Sequence, residues 1–300
     1  KVDASHLAKH TTITGKYNGV DYGAVIEGSS YRGRKYVTLF GDTRFEHITF
    51  HHTNSAPGDG GNHSQYIFCQ YYNLEMGEGI QMTGYVPEDT PGYGTVDGAR
   101  IASMQIYGGL NNDARFRDGT GVLDMEAMEK AMPHGKEGFS ITLKSGHYST
   151  VTVGGRQSTG SQINGLMGTP NMPIKCTVTI DIDRAYNDAH NEAKADYDCG
   201  IVLAGCHEGA MYADVDIVLK SGYVGRVVNG SLGHTRSYNF NYNGKNYKFP
   251  SDTYAGRANI LIDPRDGEGK IDNSKVVVTE LYGGSTGRGF TGGITIKNPF

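Results

Sequence analysis

Apolar and polar residues alternate along this chain in short runs. Thr177-Val178-Thr179-Ile180-Asp181-Ile182 and Asp214-Val215-Asp216-Ile217-Val218-Leu219 are the clearest. Alternate residues of a strand share a face, so such runs predict half-buried β-strands, dry on one side and wet on the other. Further runs predict strands at Tyr36–Phe40, Phe45–Phe50, Tyr66–Tyr71, Ile101–Tyr107, Phe139–Leu143, Val151–Val153, Ile201–Leu203, Ile260–Ile262, Val276–Tyr282 and Ile294–Ile296. Gly, Asn, Asp and Ser bound these runs, as they bound strands generally. A helical pattern interrupts once. Asp124 offers an N-cap, Met125, Met128 and Met132 an apolar stripe for packing, and Gly135 a stop, which together predict one short helix. Polar stretches at 184–198 and 239–254 read as long inserts, the usual location of binding surfaces.

One phrase occurs twice. Phe139-Ser-Ile-Thr-Leu-Lys-Ser-Gly-His-Tyr-Ser-Thr-Val-Thr-Val-Gly is answered by Val215-Asp-Ile-Val-Leu-Lys-Ser-Gly-Tyr-Val-Gly-Arg-Val-Val-Asn-Gly. Each reads as a strand, a Lys-Ser-Gly turn and a second strand closed by glycine. Repetition of a supersecondary phrase points to stacked copies of one unit, hence a parallel solenoid. The two Lys-Ser-Gly turns lie 76 residues apart, and Ile106-Tyr-Gly-Gly and Leu281-Tyr-Gly-Gly 175 apart. Both intervals are near multiples of about 25, a coil length typical of solenoids. At about 4.8 Å per coil, about ten coils would make a rod near 50 Å long.

Composition narrows the functional classes. There are 44 glycines, 20 tyrosines and no tryptophan in 300 residues, and the net charge of −4 comes with no Lys/Arg cluster. Nucleic acid is therefore not an expected partner. No run approaches the roughly 20 apolar residues of a transmembrane helix. No signal peptide is visible, and the chain reads as a mature or excised segment. Cys69, Cys176, Cys199 and Cys206 could form two disulfides or remain buried thiols, and the latter fits their low density. The six residues between Cys199 and Cys206 do not match the close pairs of a zinc site, although His190 and His207 lie nearby.

The phrases Val-x-Ile-x-Leu-Lys-Ser-Gly, Val-x-Gly-Gly and Leu281-Tyr-Gly-Gly-Ser-Thr-Gly-Arg-Gly resemble repeats of large surface-exposed, adhesin-like β-helix proteins of gut Bacteroidales. That resemblance covers roughly residues 95 to 300. Residues 36 to 82, with Phe45-Glu-His-Ile-Thr-Phe, resemble the wider pectin-lyase-like group. The resemblance implies an all-β, right-handed parallel β-helix, one solenoid domain over residues 1–300 with loop inserts, and an extracellular or outer-membrane setting. It carries no catalytic residues. The Asn-x-Asp, Asp-Asp, Gly-His-Gly and Arg-x-Lys signatures of the polygalacturonase group are missing; Gly233-His234-Thr235 is the nearest fragment.

Several constellations could carry chemistry. Asp181 with Asp183, and Asp214 with Asp216, each place two carboxylates on one strand face, and stacking of the two strands would gather four. The bland alternative is the wet side of half-buried strands. Asp263, Asp266, Glu268 and Asp272 with Arg265 and Lys270 crowd one loop, but without the spacing of a calcium loop, so a solvated turn is expected. His47, His51, His52 and His63 surround a Gly/Asn-rich loop; His47 is expected inside the Phe45–Phe50 strand, and alternation sends His51 and His52 to opposite faces. Gly283-Gly284-Ser285-Thr286-Gly287 closes a strand with no helix behind it, unlike a phosphate cradle. Tyr66, Tyr71 and Tyr72, and then Tyr238, Tyr242, Tyr247 and Tyr254, lie among amides and suit sugar rings or protein partners. The expectation is therefore a non-enzymatic scaffold binding polysaccharide or another surface protein through its inserts, with no catalytic residue, metal or cofactor assigned. A polysaccharide lyase or glycoside hydrolase on the same fold is the alternative.

Overall fold

The alternating runs pair with runs far away in sequence, and all in one direction. The structure, a computed structural model, describes residues 10–28, 35–52, 65–83, 104–109, 134, 137–155, 173–190, 197–206, 211–231, 237–242, 245–250, 254–266, 268–284 and 290–297. Fourteen of its strands form one sheet, eleven of them in a single continuous path that curls on itself. One side carries β1 (His10–Thr14), β6 (Asp42–Glu46), β9 (Leu74–Met76), β12 (Phe139–Leu143), β14 (Ile174–Asp181), the first part of β16 (Met211–Val228), β19 (Tyr254–Ile262) and β21 (Phe290–Lys297). The other carries β5 (Lys35–Thr38), β8 (Gln65–Phe68), β11 (Met104–Tyr107), β13 (Tyr148–Thr152), β15 (Cys199–Leu203), the rest of β16 and β20 (Val276–Tyr282). A third, shorter side holds β4 (Ala24–Gly28), β7 (Ile48–His52) and β10 (Gln81–Thr83), again parallel. The chain visits these sides in turn, which is a solenoid-like winding. Among the described residues eight strands stack on the first side, where about ten coils were expected for the whole chain, and they span about 34 Å at about 4.8 Å per step. Among the described residues no helix is long and apolar enough to cross a membrane.

Alternation explains which residues face inward. In β14 every second residue, from Ile174 to Ile180, is buried, while Lys175, Thr177 and Thr179 face outward. The inward residues form columns: Phe45, Met76, Leu143, Ile180 and Leu219 are aligned by successive parallel registers and are nearly solvent-free. Fully burying a side chain of this size contributes about 1.5–3 kcal/mol, so the columns dominate the stability of the stack.

Register corrects the period read from the sequence. Phe139 aligns with Cys176, and Cys176 with Val215, so the 76-residue interval is two coils of 37 and 39 residues. Ile106 and Leu281 do share a column, through Val151, Val202 and Val227, at steps of 45, 51, 25 and 54. The ladder fixes the strands and leaves the loops between them free to vary, so no constant period survives. The repeated phrase also has two outcomes. Lys144-Ser145-Gly146 is a turn between β12 and β13, whereas Lys220-Ser221-Gly222 lies inside the eighteen-residue β16. Gly146 (φ 96°) and Gly222 (φ 111°) occupy backbone conformations in which a side chain is strained, and this lets the chain swing from one side to the other.

Three local elements differ from expectation. The Phe45–Phe50 run is two strands, because His47 adopts φ 51° and makes the corner between β6 and β7. Residues 184–190 form a helix, α1 (Arg184–His190), whose Asp183 accepts a hydrogen bond from the Tyr186 amide as an N-cap would. The 239–254 insert contains an antiparallel hairpin of β17 (Ser237–Tyr242) and β18 (Lys245–Pro250), and β2 (Lys16–Tyr17) pairs likewise with β3 (Val20–Asp21). The helix expected from Asp124 to Gly135 lies outside the described residues.

Candidate functional site

Among the described residues the third side of this solenoid-like winding carries no strand after β10, and a groove lies beside the later coils at that corner. Early coils turn at His47 and at Glu78-Gly79 into β7 and β10. Later coils turn at the same corner through Lys144-Ser145-Gly146, through Asp183 and α1, and through the bend in β16. The space left beside them is a groove of about 830 Å³, lined among others by His47, Glu78, Asp181, Tyr186, Lys220 and Tyr223.

The wall formed by α1 is fixed to the corner by a buried amide. Asn187, fully buried, accepts from the Gly146 amide at 2.9 Å and donates to the Gly146 carbonyl and to the Asp198 carboxylate, each at 2.9 Å. Asp198 in turn accepts from the Tyr223 amide at 2.7 Å. One amide side chain thus ties helix, turn and the next two coils together. His147, beside this network, donates its Nδ1–H to the Tyr197 carbonyl 3.2 Å away. Burial pushes its imidazolium below the ordinary histidine range, outweighing that contact and the nearby carboxylates of Asp198 and Asp188.

The groove carries more cationic than anionic groups. Lys144, Arg184, Lys220, Arg265 and Lys275 face Glu78, Asp181 and Asp183. Several are engaged: Lys144 pairs with Glu75 at 2.8 Å, Arg184 with Asp188 at 3.5 Å, and Arg265 with Asp263, whose carboxyl it holds below the usual range. Asp181 accepts from the Ser221 hydroxyl at 3.0 Å. Among the described residues Lys220 and Lys275 form no ion pair. Two rings join them. Arg184 lies 4.8 Å over the Tyr223 ring, and His190 stacks on Tyr186 at 4.1 Å.

The four carboxylates that stacking could have gathered do not cluster. Asp214 sits beside Lys175 and Asp181 beside Ser221, six residues further along β14, which is about 20 Å of strand. Asp214 pairs with Arg257 at 3.2 Å and Asp216 accepts from Asn259 at 2.7 Å, so those two belong to the wet side of the ladder. Asp183 lies beyond the strand and caps α1. The acidic loop builds its own turns: Asp266 accepts from the Glu268 and Lys270 amides, and Asp272 caps the 3₁₀ turn Asn273–Lys275. His47 and His51 are at opposite ends of β7, and His51 meets Thr83 at 2.8 Å; the His52 side chain, His63 and His207 lie outside the described residues. Among the described residues no three His, Cys, Asp or Glu side chains converge as metal ligands would.

Of the tyrosines expected at the surface, Tyr66 and Tyr71 are buried. Tyr66 stacks with Phe68 and Tyr107, whose rings are 5.2 Å apart, and Tyr71 packs edge-on to Phe139 in the core. Tyr72 is half-buried against His134. The side chains of Tyr238, Tyr242, Tyr247 and Tyr254 lie outside the described residues. All four cysteines are buried free thiols; burial pushes Cys206 up to about 12 and raises Cys69, Cys176 and Cys199 well above the ordinary thiol range. Sequence reading missed Tyr186, Tyr223, Lys220 and Asn187, which meet only through the stacking of coils. It also missed Asp42, which accepts from the Asn73 amide at 2.9 Å and from His134 at 2.7 Å. Comparison of the chain with family models, with curated proteins and with solved structures finds no match.

Proposed function

We propose that this chain is a right-handed parallel β-helix acting at the cell surface or after secretion as a non-enzymatic binding scaffold, and that its groove beside α1 holds an anionic glycan. The observation that carries this reading is the groove lining, where Tyr186 and Tyr223 sit with Lys220 and Lys275 free of ion pairs among the described residues. Tyrosine rings offer flat contact to sugar faces at low entropic cost, and unpaired ammonium groups suit carboxylate or sulfate. The rigid stack beneath supports the binding insert, as solenoids do elsewhere. A second reading, cleavage of a polysaccharide, draws on Asp181 and Asp183 lining the same groove. Both are committed, to Ser221 and to the start of α1, and a glycosidase needs its two carboxyl groups free to flank one bond.

The test is incubation of the purified chain with neutral and acidic polysaccharides, with and without calcium, following retention and chain cleavage together. Retention of acidic glycans without cleavage is expected, weakened at least about ten-fold in the Lys220→Ala, Lys275→Ala double variant, since each lost charge contact is worth about 1 kcal/mol. New reducing ends or unsaturated uronates would overturn the scaffold reading in favour of a lyase or hydrolase. Retention of neutral glycans alone would overturn the assignment of charge.

A further inference from the structure

Three of the five Lys and Arg side chains that line the groove already hold a carboxylate of this chain. Lys144 is paired with Glu75, Arg184 with Asp188 and Arg265 with Asp263. The last pair is bidentate: Arg265 donates from Nε to Asp263 Oδ1 and from Nη2 to Oδ2, the latter at 2.6 Å. This is the fork in which a guanidinium takes up a carboxylate of any origin, the uronate of a glycan included.

The backbone holds this pair in place. Asp263 follows β19 directly, and its amide donates to the Leu219 carbonyl at 2.8 Å, which sets it in the ladder beside Lys220. Pro264 fixes φ between the two partners, and its carbonyl accepts from the Asp272 amide at 3.1 Å. Arg265 bridges to Ile271 across the turn. The Asp263 side chain is only 14% exposed, whereas Arg265 lines the groove. The hydrogen bonds from Arg265 hold the Asp263 carboxyl below its usual range, and the charge of Lys220 adds to this, so the group is ionised at neutral pH. Lys220, one of the two ammonium groups left for a ligand, thus faces the same resident carboxylate.

We propose that Asp263 is the specificity-determining residue of the groove: it fills the carboxylate site of Arg265 from within, so that the anions of a ligand are left with Lys220 and Lys275 and must bind against it. This rests on the reading of the groove as an anionic-glycan site and adds a resident competitor to it. Attraction by two ammonium groups is set against repulsion by one carboxylate, and discrimination is commonly built from such opposed elements. The groove therefore takes densely charged acidic glycans, and neutralising Asp263 opens it to sparsely charged ones.

The experiment is affinity electrophoresis of the full chain in gels carrying polygalacturonate, its partly methyl-esterified form or neutral dextran. Arg265 is half exposed, so loss of the pair costs the fold little, and thermal unfolding checks this. Asp263→Asn should bind both acidic polymers at least about five-fold more tightly and dextran no better. Asp263→Ser repeats the test without the amide. Asp263→Glu keeps the carboxylate and should behave as wild type. Glu137→Gln makes the same change of net charge at an exposed position, at the end of β12 away from the groove, and should gain nothing. An equal gain in Glu137→Gln would reduce the effect to net charge and overturn the proposal. So would Asp263→Asn binding no better than wild type, and weaker binding would show that Asp263 aims Arg265 at the ligand. Wild-type retention that depends on Lys220 and Lys275, with no gain in Asp263→Asn, would sink this proposal and leave the glycan reading standing. A gain in the variant with no retention by wild type would do the reverse.

Discussion

Asn187→Ala isolates what holds the groove together. The wild-type amide accepts from the Gly146 N–H and donates to the Gly146 C=O and the Asp198 carboxylate, all at 2.9 Å, in a site with no solvent exposure. A typical internal hydrogen bond contributes about 1 kcal/mol net, but a buried partner left unsatisfied costs about 1–3 kcal/mol. Truncation leaves two backbone groups and one carboxylate oxygen without this partner. Water entering the vacated space offsets some of that cost, and the expected loss is about 3–5 kcal/mol. Asn187→Asp should be at least as harmful, because it brings a second carboxylate against Asp198 and an acceptor against the Gly146 carbonyl. The assay is urea unfolding followed by circular dichroism, with glycan retention measured on the protein still folded. A loss under about 1 kcal/mol for Asn187→Ala, with retention unchanged, would refute the claim that this amide fixes the wall of the groove.

Two further outcomes follow from burial. His147 is held below the ordinary histidine range in the folded chain, so below about pH 6.5 the unfolded state takes up a proton that the native state refuses. Stability is therefore expected to fall as pH drops through that value, and His147→Gln should flatten that limb in unfolding curves taken between about pH 7.5 and 5. The thiols of Cys69, Cys176, Cys199 and Cys206 should be silent to a thiolate-specific reagent in the native protein and all four should react once urea unfolds it; native reaction at any of them would contradict its burial.

The strands were legible because alternation is a local signal: Thr177–Ile182 and Asp214–Leu219 each reported their own inward face. Period was not, because only the ladder is constrained, and the loops between Ile106, Val151, Val202 and Val227 are free in length. The Asn-Gly pairs at 18–19 and 243–244 were readable hairpin signals, as was Asp183 ahead of α1. The groove was not legible. Lys220 gains its neighbours from α1 and the 263–275 loop, and no spacing in the sequence encodes which coil stacks on which. Tyr66 misled for the same reason: it lies on the side opposite Ile67, yet it is buried and stacks with Phe68 and with Tyr107, which another coil brings beside it.

β16 gives the molecule an unequal distribution of strength. It is one uninterrupted strand hydrogen-bonded to β14 and β15 on one flank and to β19 and β20 on the other. In a stack stabilised by nearest neighbours, openings propagate inward from the ends and halt where neither flank can be released alone. The amides of residues 215–228 should then exchange last with solvent. Partial unfolding would strip coils from either side and leave a residual kernel around a single strand.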